Sequence, residues 1–198
     1  AGSLILLYGY IKKLEFPKDK RDYIKISIAG LLMLGLSNSL ILFSEMRINS
    51  STAALLVATV PIFMAIIEQF IPGGSRISLF GWFGMFIGFA GVGILSLRGG
   101  SLDTDTLGII LVLLASLPWA AGSICSKRTV AGGSIIIHIS VQMLAGGLAQ
   151  TFMGIVTGEM SGLNPEGSAI WALLYLIIFG SLIGYTSYIY LISVWPIS

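Results

Sequence analysis

The chain has 198 residues, of which 56% are hydrophobic and 10% are charged, and its formal net charge is +2 at pH 7. Soluble globular domains carry about 25% charged residues, so this chain has too few charges to solvate an exterior. One cysteine and one histidine exclude a disulfide framework, a cysteine-rich metal site and the usual zinc-hydrolase motifs within the chain. The composition predicts an all-α integral membrane protein that is not an enzyme and holds no cofactor or metal.

Six apolar segments are long enough to span a bilayer, which takes about 20 helical residues. The shorter apolar run Gly2–Ile11 precedes them, and we interpret it as the end of a span whose start is missing. The sequence stops at Ser198 without a closing segment, so we expect truncation at both ends. The predicted spans are Ile24–Met46, Ser50–Ile71, Ile77–Leu97, Thr106–Ser126, Gly133–Thr157 and Ser168–Val194, joined by short connectors.

The connectors differ in their content of basic residues. Nine of the 11 Lys and Arg residues lie in odd-numbered connectors, and six of these nine lie in the first, at residues 12–25. Because basic connectors stay on the cytoplasmic side, we predict that residues 12–25 face the cytoplasm in the plasma (inner) membrane. The acidic loop with Glu159 and Glu166 then faces outward. A nucleic-acid-binding patch is disfavoured because three acidic residues interrupt the basic run.

The first full span carries polar residues on one helical face. Gly35, Asn38, Leu42 and Glu45 follow an i, i+3, i+7, i+10 spacing, which places them on the same side of a helix. Polar groups of a membrane helix point into the bundle, since burying them in hydrocarbon is costly. We favour Asn38 as part of a polar cavity that binds substrate, and interhelical hydrogen bonding is the alternative.

The second span contains a proline and a carboxylate. Pro61 removes one backbone hydrogen bond and is expected to kink the helix. The freed carbonyl either lines a wet cavity or belongs to a static kink that improves packing. Glu68 lies near the cytoplasmic end of the span, and proton coupling is its functional interpretation. The alternative is a shallow carboxylate that extends to the membrane interface.

The third span carries a glycine face. Gly81, Gly84, Gly88 and Gly91 fall within about 80° of arc, at about 100° per residue. A face of small residues lets helix backbones approach closely in lipid, where packing drives association. We interpret this face as helix packing inside the bundle, with a homodimer interface as the alternative.

The fourth and fifth spans add further candidates. Pro118 predicts a second kink, and Trp119 beside it lies too deep for the aromatic belt at a membrane interface. We interpret Trp119 as a cavity wall that stacks on the substrate. His138 is a titratable group inside the fifth span and a further candidate for proton coupling. The stripe of Ser134, His138 and Gln142 is alternatively a hydrogen-bonded seam.

The last span repeats the first. A shift of 149 residues places Asn38 on Ser187, with Tyr185 and Tyr188 adjacent. An odd number of crossings separates the two spans, so they run in opposite directions, and an inverted repeat is typical of secondary transporters. We therefore predict that Asn38 and Ser187 face each other across one cavity, and we assign them and the two tyrosines to the substrate site. Most of the first repeat occupies residues 1–98 and the start of the second 99–198, which implies about ten spans in about 300 residues for the whole protein.

Short motifs recur along nearly the whole chain. They are Ser50–Ala54, Pro61–Phe63, Gly84–Ile94, Gly108–Ala120 with its Trp-Ala pair, and Ser181–Tyr185. Together they resemble the EamA-like domains of the drug/metabolite transporter superfamily. The resemblance implies a proton-linked or facilitated carrier, often an exporter, of amino acids, nucleotide sugars or other metabolites. One departure is Gly74, which stands where family members often carry an acidic residue, so no role tied to that position is carried over.

These observations predict a secondary transporter that exports small metabolites such as amino acids by alternating access. Its expected partners are a small-molecule substrate and the lipid bilayer. The alternatives are a non-transporting scaffold, a membrane-embedded lipid enzyme and a truncated relic of a transporter. An enzyme would need a catalytic constellation, for which only Glu68 and His138 offer groups. A scaffold would not need proline-interrupted helices around a polar interior.

Overall fold

The computed structural model describes residues 1–72, 74, 78–98, 105–129, 133–158 and 167–194. These residues form helices and turns without a strand, which confirms the predicted all-α class. Five helices are long and apolar enough to cross a membrane, and the described part of a sixth adds the apolar stretch Leu79–Gly88. We number the helices α1 Gly2–Ile11, α2 Lys20–Glu45, α3 Ser50–Phe70, α4 Leu79–Arg98, α5 Thr106–Thr129, α6 Ile135–Val156 and α7 Gly167–Val194.

The helix boundaries extend beyond the apolar segments at two charged ends. The helix α2 begins at Lys20 instead of Ile24, and the acidic Asp22 in its first turn suits the positive end of the helix dipole. The helix α5 ends at Thr129 instead of Ser126, and its last turn is basic. A helix can continue into water past the hydrocarbon, so hydropathy places the start of α2 too late and the end of α5 too early. The predicted connector residues 73, 75–77, 99–104, 130–132 and 159–166, with Arg76, Glu159 and Glu166, and the terminal residues 195–198 lie outside the described residues.

Two of the long helices change from α to π geometry along their length. The π-helical segments are Leu31–Ser37 in α2 and Leu176–Tyr185 in α7. A π-helix has i→i+5 hydrogen bonds, is rare, and occurs mostly as a short insertion within an α-helix. Sequence periodicity did not predict either segment.

The helix α3 is interrupted one turn before its proline. Its α-helical parts are Ser50–Val57 and Val60–Phe70, and Pro61 lies in the first turn of the second part. Since Pro61 has no N–H, the chain forms i→i+3 turns in which Ala58 N–H and Thr59 N–H donate to carbonyls three residues earlier. The Thr59 hydroxyl also donates to Leu56 O, over 2.7 Å.

The chain forms two compact units, and the division falls inside two helices. The first unit contains α1, α2 up to Gly35, α5 from Cys125, α6 and α7. The second contains the rest of α2 from Leu36, then α3, α4 and α5 up to Ile124.

In the first unit, glycines bring helices into backbone contact with α6. A Cβ atom at Gly30 would lie 2.6 Å from the Cα of Gln142, and one at Gly35 would lie 3.4 Å from the Cβ of Ala149, so α2 runs parallel to α6. A Cβ at Gly2 would lie 2.9 Å from the Cβ of Met143. Gly9 faces Ile137, closer to the start of α6, so α1 runs antiparallel to α6.

In the second unit, α3 packs along α5 through two small clusters. Ile48 and Ala53 pack against Val112 of α5, and their exposed fractions are 3% or less. One cluster further along both helices, buried Val60 and Met64 pack against Ala120. The two clusters follow the same order along both helices, so α3 and α5 run parallel.

Candidate functional site

A chain of hydrogen bonds crosses the interior of the first unit. Tyr185 Oη donates to Gln142 Oε1 over 2.9 Å, and Gln142 Nε2 donates to Ser126 Oγ over 2.7 Å. Tyr185 Oη also lies 3.9 Å from Met33 Sδ. These polar groups therefore link α7, α6 and α5 and touch α2 at its π-helical segment.

The three members of this chain are buried inside helices that are long enough to span a membrane. Gln142 is 1% exposed, Ser126 2% and Tyr185 7%. Interhelical hydrogen bonds in membrane proteins contribute about 0.6 kcal/mol on average and about 1.7 at most. An amide buried without a partner would cost more than that. The hydrogen bonds thus hold Tyr185 against Gln142 with a modest stabilisation. An amine, hydroxyl or carboxylate of a substrate could replace either partner.

His138 lies on the same face of α6 as Gln142, one turn nearer the start of the helix. Its side chain is 1% exposed, so the stripe that the sequence shows on α6 points into the first unit. Ser134 begins this stripe, and its N–H donates to Glu15 O over 2.9 Å. Glu68 belongs to the second unit, and the structure leaves proton coupling through either residue a hypothesis.

The end of the second π-helical segment carries a cluster of polar side chains on α7. Tyr185 is buried, Tyr188 is half-buried and Ser187 is exposed. Thr186 Oγ1, between them, is buried and has no hydrogen-bond partner among the residues that the structure describes. The sequence predicted both neighbours of Thr186, but not Thr186, as substrate-binding residues; a threonine hydroxyl in an α-helix normally bonds to its own helix.

Asn38 and Trp119 lie in the second unit, so their predicted meeting with the α7 residues stays a prediction. Asn38 is half-buried, and the adjacent Ser37 donates from Oγ to Ala115 O of α5 over 2.8 Å. Trp119 is half-buried and packs against the cluster that includes Met64.

A second polar contact joins α3 to α5 near the interruption. Thr59 Oγ1 lies 3.3 Å from Ser116 Oγ, and both residues are buried. The helix α5 continues through Pro118 without a break, and Ser123 Oγ donates to Trp119 O over 2.8 Å. The contact between Thr59 and Ser116 is a hydrogen bond between packed helices, the structural alternative that the sequence left open for polar residues in spans, whereas the Ser123 hydrogen bond lies within α5.

Glu68 is buried near the end of α3, with an exposed fraction of 8%. Gly74 packs directly against the backbone carbonyl of Glu68, and its N–H donates to Ile71 O over 2.9 Å. A side chain at position 74 would collide with that carbonyl, so an acidic residue cannot stand there in this backbone. This gives a physical reason for the departure from the family pattern at Gly74.

The glycine face of α4 is open in the part of the chain that the structure describes. A Cβ atom at Gly84, Gly88 or Gly91 would meet no heavy atom within 4 Å, and Gly81 is half-buried. The favoured interpretation, close packing inside the bundle, finds no partner for Gly84, Gly88 or Gly91 among these residues. Helix packing through the glycine face and the homodimer alternative both stay predictions.

Three polar residues of the first unit were not predicted as site residues: Ser126 and Gln142, which are buried, and Gln150, which is half-buried. Gln150 Nε2 donates to Leu34 O and Gly35 O of α2, over 3.0 Å each. The available signal was the glutamine itself, since an amide side chain inside an apolar span requires a buried partner.

The sequence profile of the EamA-like transporter family matches residues 1–97 and 106–198. The match covers most of the chain, and the spans found in the structure are those of a multi-pass membrane protein. The chain therefore belongs to the EamA-like transporter family, within the drug/metabolite transporter superfamily.

Several curated relatives are similar to the chain along almost its whole length. The uncharacterized inner membrane transporter YedA of Escherichia coli strain K12 is 32% identical over 193 residues, which cover 97% of this chain and 61% of the relative. An uncharacterized transporter of Clostridium kluyveri is 29% identical over 201 residues, covering 95% and 63%. The uncharacterized transporter YvbV of Bacillus subtilis is 23% identical over 195 residues, covering 97% and 63%. The chain spans about three fifths of the length of these relatives. No solved structure matches it.

Proposed function

We propose that the whole protein is a secondary transporter that exports a small metabolite such as an amino acid across the plasma membrane by alternating access. Family membership and the names of the relatives support transport. The name of the Escherichia coli relative supports an inner-membrane location. Export, amino acids and the absence of an enzymatic reaction belong to the proposal.

We place the substrate site at the buried hydrogen bonds that link Tyr185, Gln142 and Ser126, and this observation is the main support for the proposal. The donors and acceptors of these bonds carry no formal charge and lie within membrane-length helices. A polar group at that depth is tolerated where protein, water or substrate satisfies it. A zwitterionic amino acid offers both an ammonium donor and a carboxylate acceptor, so it can exchange partners with each group of the chain.

The packing directions support two repeats of inverted topology, at residues 1–98 and 99–198. In that arrangement α1 and α6 correspond to each other and run in opposite directions. The contacts of Gly2 with Met143 and of Gly9 with Ile137 agree with this direction. We therefore keep Asn38 and Ser187 as opposite walls of one cavity, with Trp119, Tyr185 and Tyr188 as further substrate contacts. Glu68 and His138 are the proposed groups for proton coupling.

The test is transport by the full-length protein in proteoliposomes. Each tritium-labelled amino acid is supplied outside vesicles loaded with the same unlabelled amino acid, and counterflow is measured. We expect at least one label to accumulate. Accumulation of none would refute the amino-acid substrate.

Variants then test the site. Tyr185→Phe and Gln142→Leu each remove one hydrogen-bonding partner, and we expect the counterflow rate to fall about tenfold, the factor that corresponds to about 1.4 kcal/mol. Tyr190→Phe is the matched control, because it removes a hydroxyl from a tyrosine of the same helix that is 56% exposed. Equal counterflow rates for Tyr185→Phe and Tyr190→Phe would mean that the hydrogen bonds of Tyr185, Gln142 and Ser126 have only a structural role.

A further inference from the structure

The two π-helical segments lie at corresponding places in the proposed repeat. The shift of 149 residues maps Leu31–Ser37 of α2 onto Gly180–Thr186, which overlaps the α7 segment Leu176–Tyr185. Met33 and Tyr185, one from each segment, are also the pair in contact at 3.9 Å. Such segments are uncommon and are frequent at functional sites, so a matched pair calls for a common role.

A neighbouring helix supports the α2 segment directly. Gln150 of α6 donates from Nε2 to Leu34 O and Gly35 O, over 3.0 Å each. Backbone carbonyls inside a membrane helix need partners, and a π segment offers them in different directions from an α-helix. An amide donor placed between two such carbonyls therefore stabilises the π form over the α form.

The packing partners of α2 also change within this segment. The division between the two compact units falls between Gly35 and Leu36, inside the α2 segment. The residues before and after this point pack with different parts of the chain, so a change of helical register at this point would affect each part differently.

We propose that Gln150 is a positioning residue that holds α2 in its π form and so sets the direction in which Asn38 points. A π segment accommodates about one residue more than the α-helix needs. Its conversion to α geometry turns every later residue by about 100° and shifts it by about 1.5 Å. Asn38 directly follows the segment, so conversion turns its side chain to another face, and Ser37 leaves Ala115 O.

A helix with two registers is the kind of two-state element that alternating access requires. The importance of Asn38 for substrate rests on the proposed function, whereas the two registers of α2 do not. The test therefore reads the register without a transport assay.

The first experiment maps the buried face of α2 after the π segment. Single nitroxide spin labels are placed at positions 38–45 of the full-length protein in liposomes, in a Cys125→Ser background, and their accessibility to molecular oxygen is measured. Oxygen concentrates in lipid, so in the present register the minimum is expected at position 44, where Ser44 is fully buried, and high values are expected at Leu42.

Gln150→Met removes the amide donor and keeps the length of the side chain. We expect its accessibility minimum to move by one residue, from position 44 to position 43. Thr151→Val is the matched control, since Thr151 Oγ1 bonds to Gly147 O of its own helix, and its minimum is expected to stay at 44. A minimum that stays at 44 in Gln150→Met overturns the proposal.

Two deletions keep the proposal falsifiable if Gln150→Met does not fold. Leu36 lies in the π segment and is 51% exposed, whereas Ile28 lies in the α-helical part and is 45% exposed. Deletion of Leu36 should leave an α-helix with both flanking faces in place, and more than half of the wild-type yield of monodisperse protein in gel filtration. Deletion of Ile28 rotates one part of α2 against the other, and we expect that yield to be lost. Equal losses overturn the proposal, while a failed transport assay affects only the proposed function.

Discussion

Gly30 lets the backbones of α2 and α6 touch. A Cβ atom there would lie 2.6 Å from the Cα of Gln142, which is backbone and cannot move aside as a side-chain end can. Gly147 lies on the same helix as Gln142, but a Cβ built there meets nothing within 4 Å among the described residues. The two glycines therefore separate the effect of close approach from the effect of helix propensity.

We expect Gly30→Ala to lower the free energy of unfolding by about 1–3 kcal/mol, because added atoms force packed helices apart. Gly147→Ala should leave it unchanged or raise it by up to about 1 kcal/mol, since alanine is the better helix former. The measurement is the unfolding transition in mixed micelles as the mole fraction of denaturing detergent increases. A Gly30→Ala protein as stable as Gly147→Ala would contradict the close contact at Gly30.

Asp105 joins the start of α5 to the connector that follows α2. Its Oδ1 accepts from Leu107 N–H over 2.9 Å, and its Oδ2 accepts from Arg47 over 3.0 Å. The hydrogen bond from Arg47 lowers the pKa of the Asp105 carboxyl, with the backbone N–H groups of Leu107 and Gly108 acting in the same direction. Since the pKa in the folded state is below the unfolded value, this contribution to stability is present above about pH 4 and is lost as the pH falls through the folded pKa.

Asp105→Asn should remove this part of the acid sensitivity. Asparagine still caps the helix but does not titrate, so the wild-type protein should lose more of its melting temperature than the variant between pH 6 and pH 3. Thermal melts in detergent over that range measure the difference. Because the pair is solvent-exposed, a small difference is expected, and it should shrink in 1 M salt. A variant with the same pH dependence as wild type would remove Asp105 from the acid response.

At the scale of the helices, hydropathy predicted the elements but not their internal geometry. Five spans and the helix α4 lie where the apolar segments placed them, because burial of about 20 apolar residues dominates every local preference. The interruption before Pro61 follows from the missing N–H of proline, which the sequence alone shows. The π-helical segment at Leu31–Ser37 depends on Gln150, more than 100 residues away, and no local pattern contains that contact.

The candidate site shows the same limit. Tyr185 was predicted on α7 as a substrate contact, but its partner Gln142 was weighed only as a member of a seam on α6. The pairing requires α6 and α7 to pack with a particular rotation, and glycines such as Gly146, whose Cβ would lie 2.9 Å from Gly30 O, help to set the packing of α6. A single sequence shows which residues are polar and on which helical face they lie, but not which faces meet.

Trp119 tests the interface between α3 and α5. It is half-buried and packs against the cluster of Val60, Met64 and Ala120, so Trp119→Ala should lower the free energy of unfolding by about 1–3 kcal/mol, less than a fully buried tryptophan would. Trp171→Ala is the control, because Trp171 is 74% exposed. Counterflow measured at a temperature where both variants stay folded separates packing from binding. Normal transport by folded Trp119→Ala would remove Trp119 from the substrate site.

At the scale of the whole molecule, the connectors make contacts within each unit that any chain crossing a membrane alternately would allow. The first connector contacts the start of α6, where Gly133 has a φ of 95° and lies against the backbone of Pro17, and Ser134 N–H donates to Glu15 O. In the second unit, Arg47 of the second connector pairs with Asp105 at the end of the fourth connector. Each contact joins connectors of the same parity, as expected when odd connectors lie at one membrane face and even connectors at the other.

Locating one connector on a known side of the membrane then assigns every odd connector to that side and every even connector to the other. We expect a cysteine at Lys18 to react with a membrane-impermeant maleimide only after the cells are opened, because the basic odd connectors stay in the cytoplasm. A cysteine at Arg47, which has a side chain 46% exposed, should react in intact cells. Both are placed in a Cys125→Ser background of the full-length protein, and labelling is followed by mass shift on a gel. If Lys18→Cys reacts from outside and Arg47→Cys does not, the orientation is reversed while the repeat stands. If both react from the same side, α2 does not cross the membrane, and the inverted repeat with its cavity between Asn38 and Ser187 is wrong.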